Sequence, residues 1–376
     1  SRIHHWWNEA YNPYFGAVLD VYTNASLASA YSSGGVVGSV LFFAVTAQHA
    51  AQIRENDTIV INNTTNNTIL MAEVVSVNVG SDSTSYFAGK LLTADTGSDL
   101  ALATLHWGLA SDAQSEGSEL PTSVTFDPTE YSNITSILME AVEHTGSEVE
   151  EMERIDGTKV ARDVKAAMER FKVKSEWACL FSKYQVGTGA NGKRKSRMQG
   201  AYWALQDKAP ANIVDWRSAS GYSGTWLSSG LNWFKRIVLA ASKRAISGPL
   251  IGFCGAEAWQ AFNDAVEDRG YFNLSTRQNS FGIQIKTLHG LVKDVHLTLS
   301  PSMSERGFSN SMFLTQKGLI RKKVFRKLRF IKPRERDEDG YIFVDGKKQG
   351  WMEEFTLEYH NIDSQYWLDG IGFDHS

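Results

Sequence analysis

Cysteine is nearly absent. Only Cys179 and Cys254 occur among 376 residues, so no disulfide framework holds the chain and a reducing compartment suits it. Each lies in an apolar context, which predicts buried free thiols. Long hydrophobic runs are missing too. Gly34 to Ala47 is broken by Gly38 and Ser39, is too short to span a bilayer and lacks the basic start of a signal peptide. No membrane partner is expected. The sequence holds no G-x-S-x-G elbow, no EF-hand loop and no Cys/His cluster beyond His4-His5. Glu353-Glu354 do not suit paired-carboxylate chemistry, because neighbouring strand residues point to opposite faces. Gly187-Thr-Gly-Ala-Asn-Gly-Lys193 satisfies G-x-G-x-x-G, but it follows a helical segment, and Arg194 stands where a P-loop needs Ser or Thr. A flexible basic loop is the reading there. These absences predict a structural protein, not an enzyme, with no catalytic residues, cofactor or metal.

Basic residues are scarce only at the front. Residues 1–155 carry 4 Lys/Arg against 19 Asp/Glu, whereas residues 156–376 carry 34 against 23. Such asymmetry suggests electrostatic docking onto a partner or nucleic acid. The densest basic stretch, 317–336, has ten Lys/Arg and one acid, Glu335. Leu319, Ile320, Val324, Phe325, Leu328, Phe330 and Ile331 interleave with them, which predicts an apolar-anchored basic strand pair facing a polyanion or an acidic partner.

Residues 1–45 begin aromatic-rich and turn Ser/Ala/Gly-rich without a helical period, so an extended arm that docks on another surface is expected. Residues 55–130 carry β-branched runs divided by polar turns such as Asn62 to Thr68, the pattern of a small barrel or sandwich. Residues 131–155 fit either a returning hairpin strand or a short helix. Asp156 can cap a helix in which Val160, Val164, Ala167, Phe171, Ala178 and Phe181 repeat at three- and four-residue spacing; it would be about 45 Å long. A basic Gly/Ser-rich loop region (186–226), helices over Ser228–Ile246 and Ala256–Asp268, and strands through Tyr359 follow, with Asp345-Gly346 as a turn signal. This order predicts an α+β protein.

The order of these pieces resembles the major capsid proteins of tailed bacteriophages with the Hong Kong 97 fold. Ser311-Met-Phe-Leu-Thr-Gln-Lys-Gly-Leu-Ile-Arg resembles their strand–turn–strand. Met352-Glu-Glu-Phe-Thr-Leu-Glu-Tyr-His-Asn and Gln365-Tyr-Trp-Leu-Asp-Gly-Ile resemble their closing strand and tail. His5-Trp-Trp-Asn-Glu and the β-rich block resemble a subgroup with a small β-barrel insertion in the E-loop region. The resemblance implies an N-terminal arm (1–45), an E-loop region with that insertion (46–155), a P domain with a spine helix (156–226), an A domain (227–310) and C-terminal strands returning to the P domain (311–376). It implies a virion protein, assembled in the host cytoplasm into hexamers and pentamers of an icosahedral shell around double-stranded DNA. Portal and scaffolding proteins, a decoration protein and packaged DNA held by non-specific contact are the implied partners. The chain starts directly with the arm, which implies a separate scaffold or a removed segment; Ser1 fits Met removal or cleavage.

The arm aromatics Trp6, Trp7, Tyr11, Tyr14 and Phe15 are expected to dock on a neighbouring subunit. The acids Glu140, Glu143, Glu148, Glu150 and Glu151 are expected to approach Lys172, Lys322, Lys323, Arg326 and Arg329 of a neighbour. Lys193, Arg194, Lys195 and Arg197 are expected to form a loop facing DNA. A tail-tube or portal-associated protein, or a nucleic-acid-binding protein using 317–336, are the alternatives.

Overall fold

The computed structural model describes residues 2–8, 15–66, 68–101, 104–114, 116–117, 129–145, 147–148, 151, 159–244, 248–269, 274–278, 284–288, 293–304, 307–331 and 346–375. Two compact units emerge: Glu9–Pro128, and Ser1–Asn8 joined with Thr129–Ser376. Strand β1 (Ile3–Asn8) opens the larger unit.

The unit Glu9–Pro128 holds β2 (Phe15–Ala17), β3 (Asp20–Tyr22), β4 (Val40–Ala44), β5 (Asp57–Asn63), β6 (Thr68–Asn78), β7 (Tyr86–Leu91) and β8 (Leu105–Asp112). One helical turn, α1 (Ala47–Ala50), is capped by the Thr46 hydroxyl. All seven strands form one sheet in the order β2-β8-β5-β6-β7-β4-β3. The expected Asn62 to Thr68 turn links β5 and β6, with Asn63 opposite Thr68. Period-two alternation sends Ile59 and Ile61 into the core beside Ala72, Leu91 and Trp107. Phe43 and Phe87 stack there with centroids 4.9 Å apart. Gly89 is needed beneath them, since a Cβ would lie 2.9 Å from the Phe43 ring. β2 and β3 belong to one continuous segment: β2 pairs with β8 and β3 with β4, and between them the Val18 N–H donates to the Leu105 carbonyl at 3.0 Å and the Leu19 N–H to the Ala44 carbonyl at 2.8 Å, so residues 15–22 link the two ends of the sheet. The arm expected over 1–45 is also redistributed: β1 belongs to the larger unit, and β2 to β4 belong to this sheet. Burial explains it, because Val21, Tyr31, Leu41 and Phe43 all enter the core.

In the larger unit, β9 (Thr129–Ile134) pairs antiparallel with β1, from Ile3 opposite Ile134 to Asn8 opposite Thr129. β10 (Ser136–Thr145) follows, settling the 131–145 stretch as strand. The spine is α2 (Lys159–Phe181), 23 residues and so about 35 Å long. Its proposed cap, Asp156, lies outside the described residues. Only Ala167 and Phe171 of α2 are fully buried. The expected loop region over 186–226 is more regular than its composition suggests. It contains the hairpin β11 (Gln185–Thr188) and β12 (Arg194–Arg197), the helix α3 (Ala201–Lys208) and β13 (Ile213–Asp215). Ala201, Ala204 and Leu205 of α3 are buried, so tertiary contact supports a helix too short to stand alone.

The remaining elements are α4 (Leu231–Arg244), β14 (Leu250–Cys254), α5 (Ala256–Arg269), β15 (Leu274–Gln278), β16 (Gln284–Leu288), β17 (Val295–Leu299), β18 (Met312–Gln316), β19 (Ile320–Ile331), β20 (Gly346–Tyr359) and β21 (Tyr366–Asp369). A mixed seven-stranded sheet runs β13-β21-β18-β14-β17-β16-β15, with β13–β21 and β14–β17 parallel. α4 buries Trp233, Phe234, Ile237 and Val238, and α5 buries Ala258, Ala261 and Phe262, in a core shared with Trp216 and Trp226. A second core joins Phe313, Phe355, Leu357, Tyr359 and Trp367 to α3. The α+β class is as expected. Both cysteines are free, Cys254 buried and Cys179 half-buried. No helix among the described residues is long and apolar enough to cross a membrane.

Candidate assembly surface

Three strands in the order β10-β20-β19 collect most of the charges singled out from sequence. β20 lies in the middle, which buries its acids: Glu353, Glu354 and Glu358 are 6%, 1% and 5% exposed. A buried carboxylate requires a partner, and β19 supplies one for each. Lys322 Nζ lies 2.7 Å from Glu353, Arg326 Nε 2.5 Å from Glu354, and Lys323 Nζ 2.8 Å from Glu358. Thr135 donates to the second oxygen of Glu354 at 2.8 Å. His360 and His4 approach Glu358 at 2.7 and 3.5 Å. Burial pushes the Glu358 carboxyl up, but the hydrogen bonds from Lys323 and His360 outweigh it, and the net shift is downward. The stripe therefore presents less free charge than its composition promised. Lys322, Lys323 and Arg326 of the 317–336 segment are thus engaged within the chain, and 332–336 lies outside the described residues.

The acids of β10 are likewise engaged within the chain. Glu140 bonds to Arg170 at 3.1 Å and to Lys174, both on α2. The Lys174 hydrogen bond, aided by Arg170 and opposed by burial, holds its carboxyl below the usual range. Gly350, opposite Ala141, lets β20 lie close against β10, since a Cβ there would fall 2.2 Å from the Glu140 carbonyl oxygen. Glu143 meets Lys348 at 2.9 Å, and Glu148 meets His144 at 3.6 Å and Lys159 at 4.0 Å. Glu151 is exposed, and Glu150 lies outside the described residues. Hence Glu140, Glu143, Glu148, Lys322, Lys323 and Arg326, expected to pair between subunits, have partners in their own chain; local register brings opposite charges together before any neighbour arrives. Lys172 on α2 and Arg329 on β19 are exposed.

The aromatics divide in the same way. Trp6 is 6% exposed, and its indole N–H donates to the Tyr359 carbonyl at 2.9 Å, so it is a core residue rather than a docking one. Strand alternation turns Trp7 outward, 59% exposed, and Phe15 is 58% exposed. Tyr11 and Tyr14 lie outside the described residues. Lys193 is in the β11–β12 turn, and Arg194, Lys195 and Arg197 sit on strand β12, all exposed; the expected loop is thus a hairpin. The glycine pattern around it has a strand on each side and no following helix, so no phosphate cradle forms.

Sequence reasoning noted the apolar residues of β19 but did not place them outside. Val324, Phe325, Leu328 and Ile331 are 46%, 56%, 37% and 40% exposed on a strand that ends its sheet among the described residues. The signal was their interleaving with cations. Register shifts between Val324 and Arg326 and between Arg326 and Arg329, with the surrounding Lys and Arg, guard this edge against stray strand pairing. The surface remains apolar and cationic, which suits covering by another protein surface.

A family model described as SU10 major capsid protein matches residues 1–372. Among solved structures, the chain is similar to that of Mycobacterium phage Bobi at TM-score 0.43 and 8% identity, covering 70% of this chain and 81% of that one. The Cyanophage Pam1 capsid asymmetric unit gives TM-score 0.40 and 12% identity, with coverages of 70% and 83%. The holo-SrpI encapsulin complex from Synechococcus elongatus PCC 7942 gives 0.40 and 14%, with coverages of 65% and 76%. No curated protein sequence matches.

Proposed function

This chain belongs to the SU10 major capsid protein family, and from that premise we propose how its copies join. Family membership makes it a structural protein of the virion that associates with itself to build the capsid shell. The shell is built of hexamers and pentamers around double-stranded DNA. β1 and β9 form the stem of the E-loop, and the unit Glu9–Pro128 is the insertion that it carries. That unit lies against the exposed face of β19 on a neighbouring copy.

One observation carries the docking. The unit Glu9–Pro128 has 12 Asp/Glu against 2 Lys/Arg, whereas Lys327 and Arg329 of β19 are exposed and have no ion pair among the described residues. Complementary patches set register and suppress wrong contacts, while burial of Val324, Phe325 and Leu328 supplies the larger driving force. Each exposed ion pair contributes only about 0–1 kcal/mol, but the contact repeats at every subunit. The β11–β12 hairpin, with Lys193, Arg194, Lys195 and Arg197, meets packaged DNA through phosphates without reading bases. Portal and scaffolding proteins complete the particle in the host cytoplasm.

Electron microscopy of the recombinant chain tests this reading. Closed shells are expected from the parent. K327E/R329E is expected to cut shell yield at low salt while leaving the subunit folded. Tubes from the parent, or an unchanged yield from the double reversal, would refute the proposed contact.

A further inference from the structure

We infer that a cavity in the larger unit binds a small, mostly apolar ring compound carrying one hydroxyl group. Its volume is about 300 Å³, which reaches the lower end of small-molecule sites and is about twice that of an apolar cavity that accepts benzene. Its floor follows from strand register. Ile251 of β14 lies opposite Thr315 of β18, and Phe253 lies opposite Phe313. Alternation places these four side chains on one face of the sheet, and all four line the space. Cys179 and Leu180 of α2 and Ala201 of α3 line it from the helices, and Ile320 and Leu357 from β19 and β20.

The polar lining is specific. Thr315 is 5% exposed, and its Oγ1 is buried with no hydrogen-bond partner among the described residues. An unpaired buried hydroxyl is costly, and a ligand hydroxyl would satisfy it as donor or acceptor. Glu176, also in the lining, already accepts from Ser300 Oγ at 2.9 Å. The remaining charge, Lys317, is exposed in the turn before β19. Neither offers a dry anchor for a charged ligand, whereas Thr315 offers one for a neutral hydroxyl among aliphatic and aromatic walls. A bound ring would touch α2, α3 and both sheets, tying the spine helix to the strands beside it.

The test uses assembled shells, 4-ethylphenol and ethylbenzene, with binding measured by saturation-transfer NMR and calorimetry. Saturable binding of both is expected, with the phenol tighter. T315V, which keeps the side-chain shape, should lower phenol affinity roughly three- to tenfold and leave ethylbenzene unchanged. C179F, on a half-buried helix position, should abolish binding of both. Absence of saturable binding, equal affinity of the two probes for the parent, or an unchanged preference in T315V would overturn the inference. Binding to dissociated subunits but not to shells would overturn it as well, since a neighbour's side chain would then be the occupant.

Discussion

Replacing Arg326 by Met should destabilise the larger unit far more than its place on an exposed strand suggests. Glu354 is 1% exposed, and its contacts are Arg326 Nε at 2.5 Å and the Thr135 hydroxyl at 2.8 Å. Met keeps most of the aliphatic stem and removes the charge, so Glu354 is left with one neutral donor. Stranding one member of a buried pair costs about 3–5 kcal/mol. Arg326 itself is 37% exposed, so water reaches the gap and about 2–3 kcal/mol is the reasoned value. For a unit of this size that lowers the melting midpoint by about 4–12 °C. The assay is denaturant and thermal unfolding of the subunit held below its assembly concentration, followed by tryptophan fluorescence. R326M/E354Q should recover more than half of the loss, because the neutral amide still accepts from Thr135 and needs no cation. Lys327→Met, on the same strand with no ion pair among the described residues, is the control and should stay within about 0.5 kcal/mol of the parent. If R326M behaves like K327M, the buried carboxylates do not hold β19 to β20 and the account of this sheet is wrong.

Trp6→Ala should cost the subunit about 3–5 kcal/mol, while Trp7→Ala should leave subunit stability within about 0.5 kcal/mol and lower shell yield; calorimetry and electron microscopy of the two variants distinguish them, and equal effects would contradict the assigned faces. Glu140 and Glu358 have carboxyls held below the ordinary value of 4.5, so their contribution is present above that value and is lost as pH falls through the folded value; E140Q should flatten the acid limb of stability against pH, and an unaltered limb would count against the Lys174 and Arg170 pairing. Burial pushes the Cys179 thiol up to about 12 and raises that of Cys254 too, so thiolate is scarce at pH 8; alkylation of the folded subunit should be slower than that of the unfolded chain by more than roughly 100-fold, and rapid labelling of Cys179 would show that its site is open to water.

Local pattern was enough to read several features. The three- and four-residue spacing of Val160, Val164, Ala167 and Phe171 marked the spine helix, and the β-branched runs marked β5 and β6. Composition excluded a disulfide framework, and the charge asymmetry was plain. Short-range periodicity misled where stability comes from distant contacts. α3 has eight residues and no strong stripe, and it exists because Ala201, Ala204 and Leu205 meet a core built partly from Phe355 and Leu357. The first strand looked like a free arm because its partner β9 begins 121 positions beyond its end, Asn8 opposite Thr129.

What the sequence determined by itself was what period and composition encode: the α+β class, the long helix, the free thiols and an order of elements that resembles the capsid family to which the chain belongs. Which charges are available to a neighbour was decided only in three dimensions. Lys322, Lys323 and Arg326 read identically to Lys327 and Arg329 in the sequence, as cations among apolar residues. Register against β20 sets the first three against Glu353, Glu358 and Glu354. The physical reason is burial: a central strand removes water from its carboxylates, each carboxylate then holds a nearby cation, and the cations beyond their reach, Lys327 and Arg329, are left without an ion pair among the described residues.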